Sequence, residues 1–343
     1  MRPEEVQRLL SSRRLPQALL DEAWETRLRH RGREMRFYYP NPRFPAVSIT
    51  GEWCALRCKH CMGRYLKGMT PIKSPEKLKE FSIRLEERGG VGILVSGGCT
   101  PDGRVPLEMF YDALRWIRRH TELIINVHTG LVDERRADEL ASTGIDIASV
   151  DVVGSDETIR RVYGLRATVE DYRKTLNSLM DTSIPAVVPH LCVGLDYGRI
   201  LGEAKALEII SEAKPEQMVV IALIPTRGTP MKSVSPPPPR DVAKVIALAR
   251  SLMPETSISL GCMRPRMRRE ELETLCLKAG ADRMVLPSKT ARRWIETHGL
   301  KAIELDGCCS IPEELESRAI RYFTSEVVGV PAVTHLLFSA AFR

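Results

Sequence analysis

From residue 45 onward, short apolar runs alternate eight times with amphipathic stretches, which limits the fold more than any other feature. The apolar runs fall at 46–50, 91–96, 122–127, 146–151, 185–192, 217–224, 256–261 and 282–286. Helical patterns lie between them, for example at 74–88, 106–119, 133–143, 199–213, 238–252 and 268–279. Parallel neighbours in a sheet need long connections, and a crossover helix supplies one. Eight such units is also the number that closes a barrel. The expected fold is therefore α/β, a (β/α)8 TIM-type barrel over 45–300. Helix starts agree: Ser74 stands before Pro75, and Asp133 opens the third helix. Residues 1–44 read as a basic helical extension, with arginines at 27, 29, 31, 33 and 36. Residues 301–343 read as a short C-terminal extension with a strand-like run at 302–305. The proline run at 236–239 reads as a stiff loop.

Nine cysteines in 343 residues is an odd number for a disulfide framework. The N-terminus, MRPEEVQRLLSSRR, has no apolar segment of the kind an export signal carries, so a cytoplasmic location is expected. Thiols in such a protein bind metal or do chemistry more often than they pair. The longest uncharged run, 327–342, contains Pro331 and His335 and falls short of the roughly 20 apolar residues of a membrane span. A packed segment is expected there, and no membrane association. Asparagine occurs only at 41, 126 and 177, and glutamine only at 7, 17 and 217, a scarcity that points to a thermophile. The formal charge of +7 favours an acidic partner without identifying it.

The most informative cysteines are Cys54, Cys58 and Cys61, placed directly after the first strand. At spacings of four and three, their thiolates can converge on one metal centre from a single loop. A four-cysteine zinc site would want another ligand nearby, and no cysteine follows before Cys99. Three ligands to a [4Fe–4S] cluster would leave one iron open for a substrate or cofactor.

The C-x3-C-x2-C spacing after a first barrel strand resembles that of the radical S-adenosylmethionine (SAM) superfamily. That resemblance implies a SAM-binding [4Fe–4S] cluster held by Cys54, Cys58 and Cys61, and homolytic attack on an unactivated C–H bond. It also implies that His60, before the third cysteine, lies near the adenine of the cofactor. Ser96-Gly97-Gly98 resembles the turn that receives the methionyl amino group, where glycine lets the backbone approach a ligand closely. Asp151 falls where the family holds the ribose, and Arg166 near a cofactor-contacting arginine. A helix cap and a surface charge are the plainer readings of these two.

Within the superfamily the chain is most similar to the biotin synthase group. Ile221-Ala-Leu-Ile-Pro-Thr-Arg-Gly-Thr-Pro-Met231 and Glu273–Ala281 carry that likeness. Biotin synthase holds a second cluster inside its barrel. Here Cys192 matches one of its ligands, but Val127-His128 stands where another should be, and Cys262 is additional. Cys99, Cys192 and Cys262 all fall at ends of predicted strands, which gather at one mouth of a barrel. The expected auxiliary [4Fe–4S] cluster takes these three with Cys308 or Cys309, and His128 and His190 are reserve ligands. Cys276, flanked by leucines in a helix, reads as core.

The phrase Ser48-Ile-Thr-Gly-x-x-Cys54 with His60-Cys-x-Gly-x-Tyr-Leu66 resembles the archaeal two-protein lipoyl synthase. That likeness implies sulfur insertion into an octanoyl-lysine on a lipoyl-carrier protein (H protein or E2 lipoyl domain). It further implies an auxiliary cluster as sulfide source, a paralogous partner synthase, and an electron donor such as ferredoxin. The basic N-terminal segment would dock the acidic carrier. Biotin synthase, methylornithine synthase and hydrogenase maturase chemistry remain alternatives. A nucleic-acid partner is not expected, because no recognised RNA-binding module follows the barrel.

Overall fold

The computed structural model describes residues 1–321. The uncharged run at 327–342 lies outside them. Eleven parallel strands form one sheet. In chain order they are β1 (Glu34–Tyr38), β2 (Ala46–Ser48), β3 (Thr70–Pro71), β4 (Gly92–Ser96), β5 (Ile124–His128) and β6 (Ile147–Asp151). They continue as β7 (Ala186–Val193), β8 (Gln217–Ala222), β9 (Ser257–Leu260), β10 (Arg283–Val285) and β11 (Lys301–Leu305). The spatial order is β11-β1-β10-β9-β8-β7-β6-β5-β4-β2-β3, so the eight expected strands sit side by side.

The sheet curls into a barrel. Seven strand spacings separate β11 from β5 in that order, which on a flat sheet would be roughly 30 Å. Yet Cys308, just after β11, accepts a hydrogen bond from Asn126 of β5 at 3.7 Å. Period-two alternation explains the wall. Ile125 and Val127 pack outward under the helices, while Ile124 faces the lumen with Ile147, Val188 and Val219. Helices cover the outside and start where local chemistry allows. Ser74 accepts from the Lys77 N–H with Pro75 in the first turn, and Asp133 accepts from the Arg136 N–H.

Three strands lie beyond the eight read from the pattern. β3 has two residues, too few for any periodic signal. β1 corrects the expectation of a wholly helical N-terminal segment. Met35 and Phe37 face the helix layer, while Tyr38 faces the lumen, a period-two pattern obscured by the arginines around it. β1 pairs with β10 on one side and β11 on the other, so the sheet extends past 45–300 at both ends.

The arginines of this segment are also not the free surface charges expected. Arg27 is fully buried and donates to the carbonyls of Gly32 and Glu34. Arg31 pairs with Asp282 at 3.1 Å, and Arg36 with Glu316 at 2.7 Å. Only Arg29 and Arg33 of the five stay exposed. They lie at the N-terminal ends of the strands, where residues 306–316 close the barrel floor. Ser259 donates to the Cys309 carbonyl at 3.3 Å, Arg283 to the Ile311 carbonyl at 2.6 Å, and Tyr38 to Glu316 at 2.6 Å.

Candidate active site

The loop after β2 carries the cysteine trio at the opposite end, above the C-terminal ends of the strands. A tight turn sets Cys58 and Cys61 side by side, with the Cys61 N–H donating to the Cys58 carbonyl at 3.0 Å. The ligand atoms of Cys58, His60 and Cys61 all lie within 4.8 Å of one another. Cys54 is held by the neighbouring loop: its Sγ accepts from the Cys99 N–H at 3.4 Å, and the Ala55 N–H donates to the Cys99 carbonyl at 2.8 Å. The electrostatics favour thiolates. A hydrogen bond from the Cys99 thiol, with backbone N–H groups in support, lowers Cys54 to about 5 against the opposing effect of burial. Cys61 falls to about 4, chiefly through the Cys58 thiol and then through His60. Cys58 holds the shared proton and is raised accordingly. Thiolates are the metal-ligating form.

The glycine turn lies directly against this loop. Gly98 donates its N–H to Thr50 Oγ1 at 2.7 Å. A Cβ on Gly98 would come within 1.9 Å of the Trp53 carbonyl oxygen and 2.6 Å of Cys54 Cα. Only glycine permits that approach. A Cβ on Gly97 would stand 3.1 Å from the Thr50 side chain, and Ser96 ends β4, its carbonyl accepting from the Ile49 N–H at 2.8 Å. His60 packs against Tyr163 at 5.6 Å and Tyr65 at 6.3 Å between ring centroids. Burial opposes charge on His60, but the adjacent Cys61 outweighs it and raises the imidazole. Its buried Nδ1 has no hydrogen-bond partner among the described residues. Asp151 ends β6 opposite His190 of β7, and its charge acts on His60, Cys99, His128 and Cys192. Arg166 is exposed and makes no side-chain hydrogen bond or ion pair among the described residues.

Of the six remaining cysteines, no three bring their sulfurs within 4.8 Å of one another among the described residues. Cys99 belongs to the trio's surroundings through Cys54, because the turn after β4 folds over the cysteine loop. Cys192 packs near Tyr163 and Leu195 at the mouth, where burial raises its thiol. Cys262 follows β9 and shares its electrostatic surroundings with Cys308 and Cys309 from the barrel floor. Hydrogen bonding from Cys309 is the largest cause lowering Cys308 to about 7, which raises Cys309 in turn. Cys262 is an exposed residue whose thiol is raised by its local burial and then by Cys308. Cys276 is fully buried in its helix, as core.

Between the two thiol groups the lumen is polar. His128 and His190 pack as tilted rings with centroids 5.1 Å apart, and burial lowers both, His190 to about 3. Below them Ser149 donates to Asn126 at 3.0 Å. Asn126 was readable in the sequence as the residue between Ile124 and His128 on the same face of β5. Tyr65 and Tyr163 carry no such periodic signal, since each sits in a five-residue 3-10 or π-helical turn.

Residues 48–198 match the Radical SAM superfamily, and residues 219–336 match the Biotin and Thiamin Synthesis associated domain. This chain belongs to the radical SAM superfamily. Curated relatives include biotin synthase from Halorhodospira halophila, 27% identical over 70% of this chain and 74% of the relative. Biotin synthase from Marinobacter nauticus is 24% identical over 86% of this chain and 85% of its own length. Among solved structures, methylornithine synthase superposes with a TM-score of 0.63 at 17% identity, covering 88% of this chain and 94% of that one. The FeFe-hydrogenase maturase from Carboxydothermus hydrogenoformans gives 0.65 at 15%, covering 93% and 78%. These structures share the fold. The chain is a radical SAM enzyme of the biotin synthase-like group, and membership implies a [4Fe–4S] cluster and SAM. The residues present fit that group: three thiols, two of them lowered, stand on one loop beside a backbone cradle that a Cβ would fill. No helix among the described residues is long and apolar enough to cross a membrane.

Proposed function

We propose that this chain is a sulfur-inserting radical SAM enzyme, one component of a two-protein lipoyl synthase. Its substrate would be the octanoyl-lysine of a lipoyl-carrier protein, with a paralogous synthase and a ferredoxin-type donor as partners. The observation supporting this reading is the hydrogen-bonded pair Cys308 and Cys309 in the same barrel as the trio, with the exposed Cys262 within electrostatic reach of Cys308. It favours these three as ligands of a sulfide-bearing auxiliary cluster, and disfavours Cys99 and Cys192 in that role.

Cys54, Cys58 and Cys61 would hold the first cluster as thiolates and leave one iron for SAM. When bound, that pair supplies homolytic cleavage of an unactivated C–H bond. The chain's own residues orient it. Gly97 and Gly98 bring the backbone up to the trio, Asp151 faces the lumen at the end of β6, and His60 packs between Tyr65 and Tyr163. The lumen residues His128, His190, Asn126 and Ser149 would line the substrate's path between the two thiol groups.

The test is anaerobic reconstitution followed by reaction with an octanoyl-lysyl peptide and the paralogue. Thiolated peptide and about eight irons per chain are expected. Absence of thiolation with both clusters loaded would remove the substrate assignment. A second reading, single-cluster carbon-skeleton or maturation chemistry, is favoured by the polar lumen, which suits a small polar substrate. It requires full activity after Cys262→Ser.

A further inference from the structure

We propose that the barrel mouth is the docking face for an acidic protein domain, the carrier whose acylated lysine arm enters the lumen. This rests on the carrier-bound substrate reading above. Four of the loops at the C-terminal ends of the strands, 49–69, 152–168, 194–202 and 223–238, border the mouth. They carry ten Lys and Arg side chains against four Asp and Glu, a surplus of six, where the whole chain carries +7.

The four carboxylates are taken within the chain. Glu52 pairs with Lys67 at 3.6 Å and Glu157 with Arg161 at 2.6 Å. Asp156 accepts from the Val169 N–H at 2.6 Å, and Asp196 is buried with Arg199. By contrast Arg57, Lys59, Arg160, Arg166, Arg227 and Lys232 are exposed, and no carboxylate among the described residues is within ion-pair distance of them.

The loops are joined, so these charges form one rim. The Lys59 N–H donates to the Val162 carbonyl at 2.8 Å, which sets Lys59 beside the turn bearing Arg160. Arg64 donates to the Gly228 carbonyl at 3.3 Å, next to Arg227. Arg161 lies 5.2 Å from the ring centroid of Tyr197, joining the 152–168 and 194–202 loops. Trp53, 53% exposed, adds an apolar anchor on the 49–69 loop. A charged rim with an aromatic anchor suits a protein partner, since bare polyanion binding needs only the charge. Of the five N-terminal arginines, Arg27, Arg31 and Arg36 are engaged within the chain, which leaves Arg29 and Arg33 exposed.

The experiment measures the affinity of an octanoylated lipoyl-carrier domain for the anaerobically reconstituted holoenzyme by fluorescence anisotropy, at low and at physiological ionic strength. Arg57→Glu/Lys59→Glu and, independently, Arg227→Glu/Lys232→Glu are each expected to weaken binding about tenfold or more, most at low salt. The second pair lies away from the cysteine ligands and guards against a folding defect in the first. Arg13→Glu/Arg29→Glu, the same charge change on the N-terminal segment, is expected to leave the affinity unchanged. Equal weakening by all three variants, or none by the rim variants, overturns the proposal. A rim that binds transfer RNA and not the carrier overturns it in favour of a nucleic-acid partner. Rim-dependent carrier binding without thiolation upholds the docking face and removes the substrate chemistry instead.

Discussion

The backbone N–H of Cys99 donates to the Sγ of Cys54 across 3.4 Å, so the turn after β4 is hydrogen-bonded to the cysteine loop after β2. Gly98 makes that contact possible, with the Trp53 carbonyl where its Cβ would stand. Gly98→Ala must push two backbones apart and is expected to cost about 2–4 kcal/mol. Iron content after anaerobic reconstitution should fall with it. Gly68→Ala, with nothing within 4 Å of its Cβ, should leave melting temperature and iron unchanged.

The division of the thiols gives a second prediction. If Cys99 and Cys192 are not cluster ligands, Cys99→Ser/Cys192→Ser should retain about eight irons per chain. Cys262→Ser/Cys308→Ser/Cys309→Ser should retain about four, with the radical cluster's electron paramagnetic resonance signal intact. About four irons in both variants would restore the expected set of Cys99, Cys192 and Cys262 with Cys308 or Cys309.

That earlier set shows how much the sequence disclosed and where it stopped. The eight alternating strands and the trio were legible because periodicity and short spacing are local properties. Cys99, Cys192 and Cys262 all do end strands, as the pattern says. What places them apart is loop geometry: the turn after β4 folds over onto Cys54, while the segment after β11 carries Cys308 up through the floor. β1 was missed because five arginines masked its alternation, and their ion-pair partners lie some 250 residues away, as in Arg31–Asp282. Long-range pairing leaves no trace in a local window.

The fully buried pair Arg250–Asp282, 2.7 Å apart, fastens the helix before β9 to the start of β10. Arg250 also donates to the carbonyls of Gly280, Pro254 and Thr256. Removing one partner strands the other's charge, so Asp282→Ala is expected to cost about 3–5 kcal/mol. Burial alone would raise Asp282, but Arg250 and Arg31 outweigh it and lower it. A carboxylate lowered by folding adds stability at neutral pH and loses it as pH falls through the lowered value. The variant's deficit in urea midpoint should therefore be largest near neutrality and shrink in acid.

Glu203 has the opposite sign. Burial raises it from its ordinary 4.5 to about 7, against the Gly194 N–H that donates to Oε1 at 2.8 Å. Oε2 is buried without a partner among the described residues, which suits a protonated carboxyl. The folded chain keeps this proton between about pH 4.5 and 7 while the unfolded chain has lost it, so stability falls with rising pH across that window. The full effect approaches about 3 kcal/mol above pH 7. Glu203→Gln removes the ionisation and retains the acceptor for Gly194. Its melting temperature should match the parent near pH 5 and exceed it near pH 8 by several degrees. Parallel pH profiles for the two proteins would show that Glu203 ionises at an ordinary carboxylate pH in the folded chain.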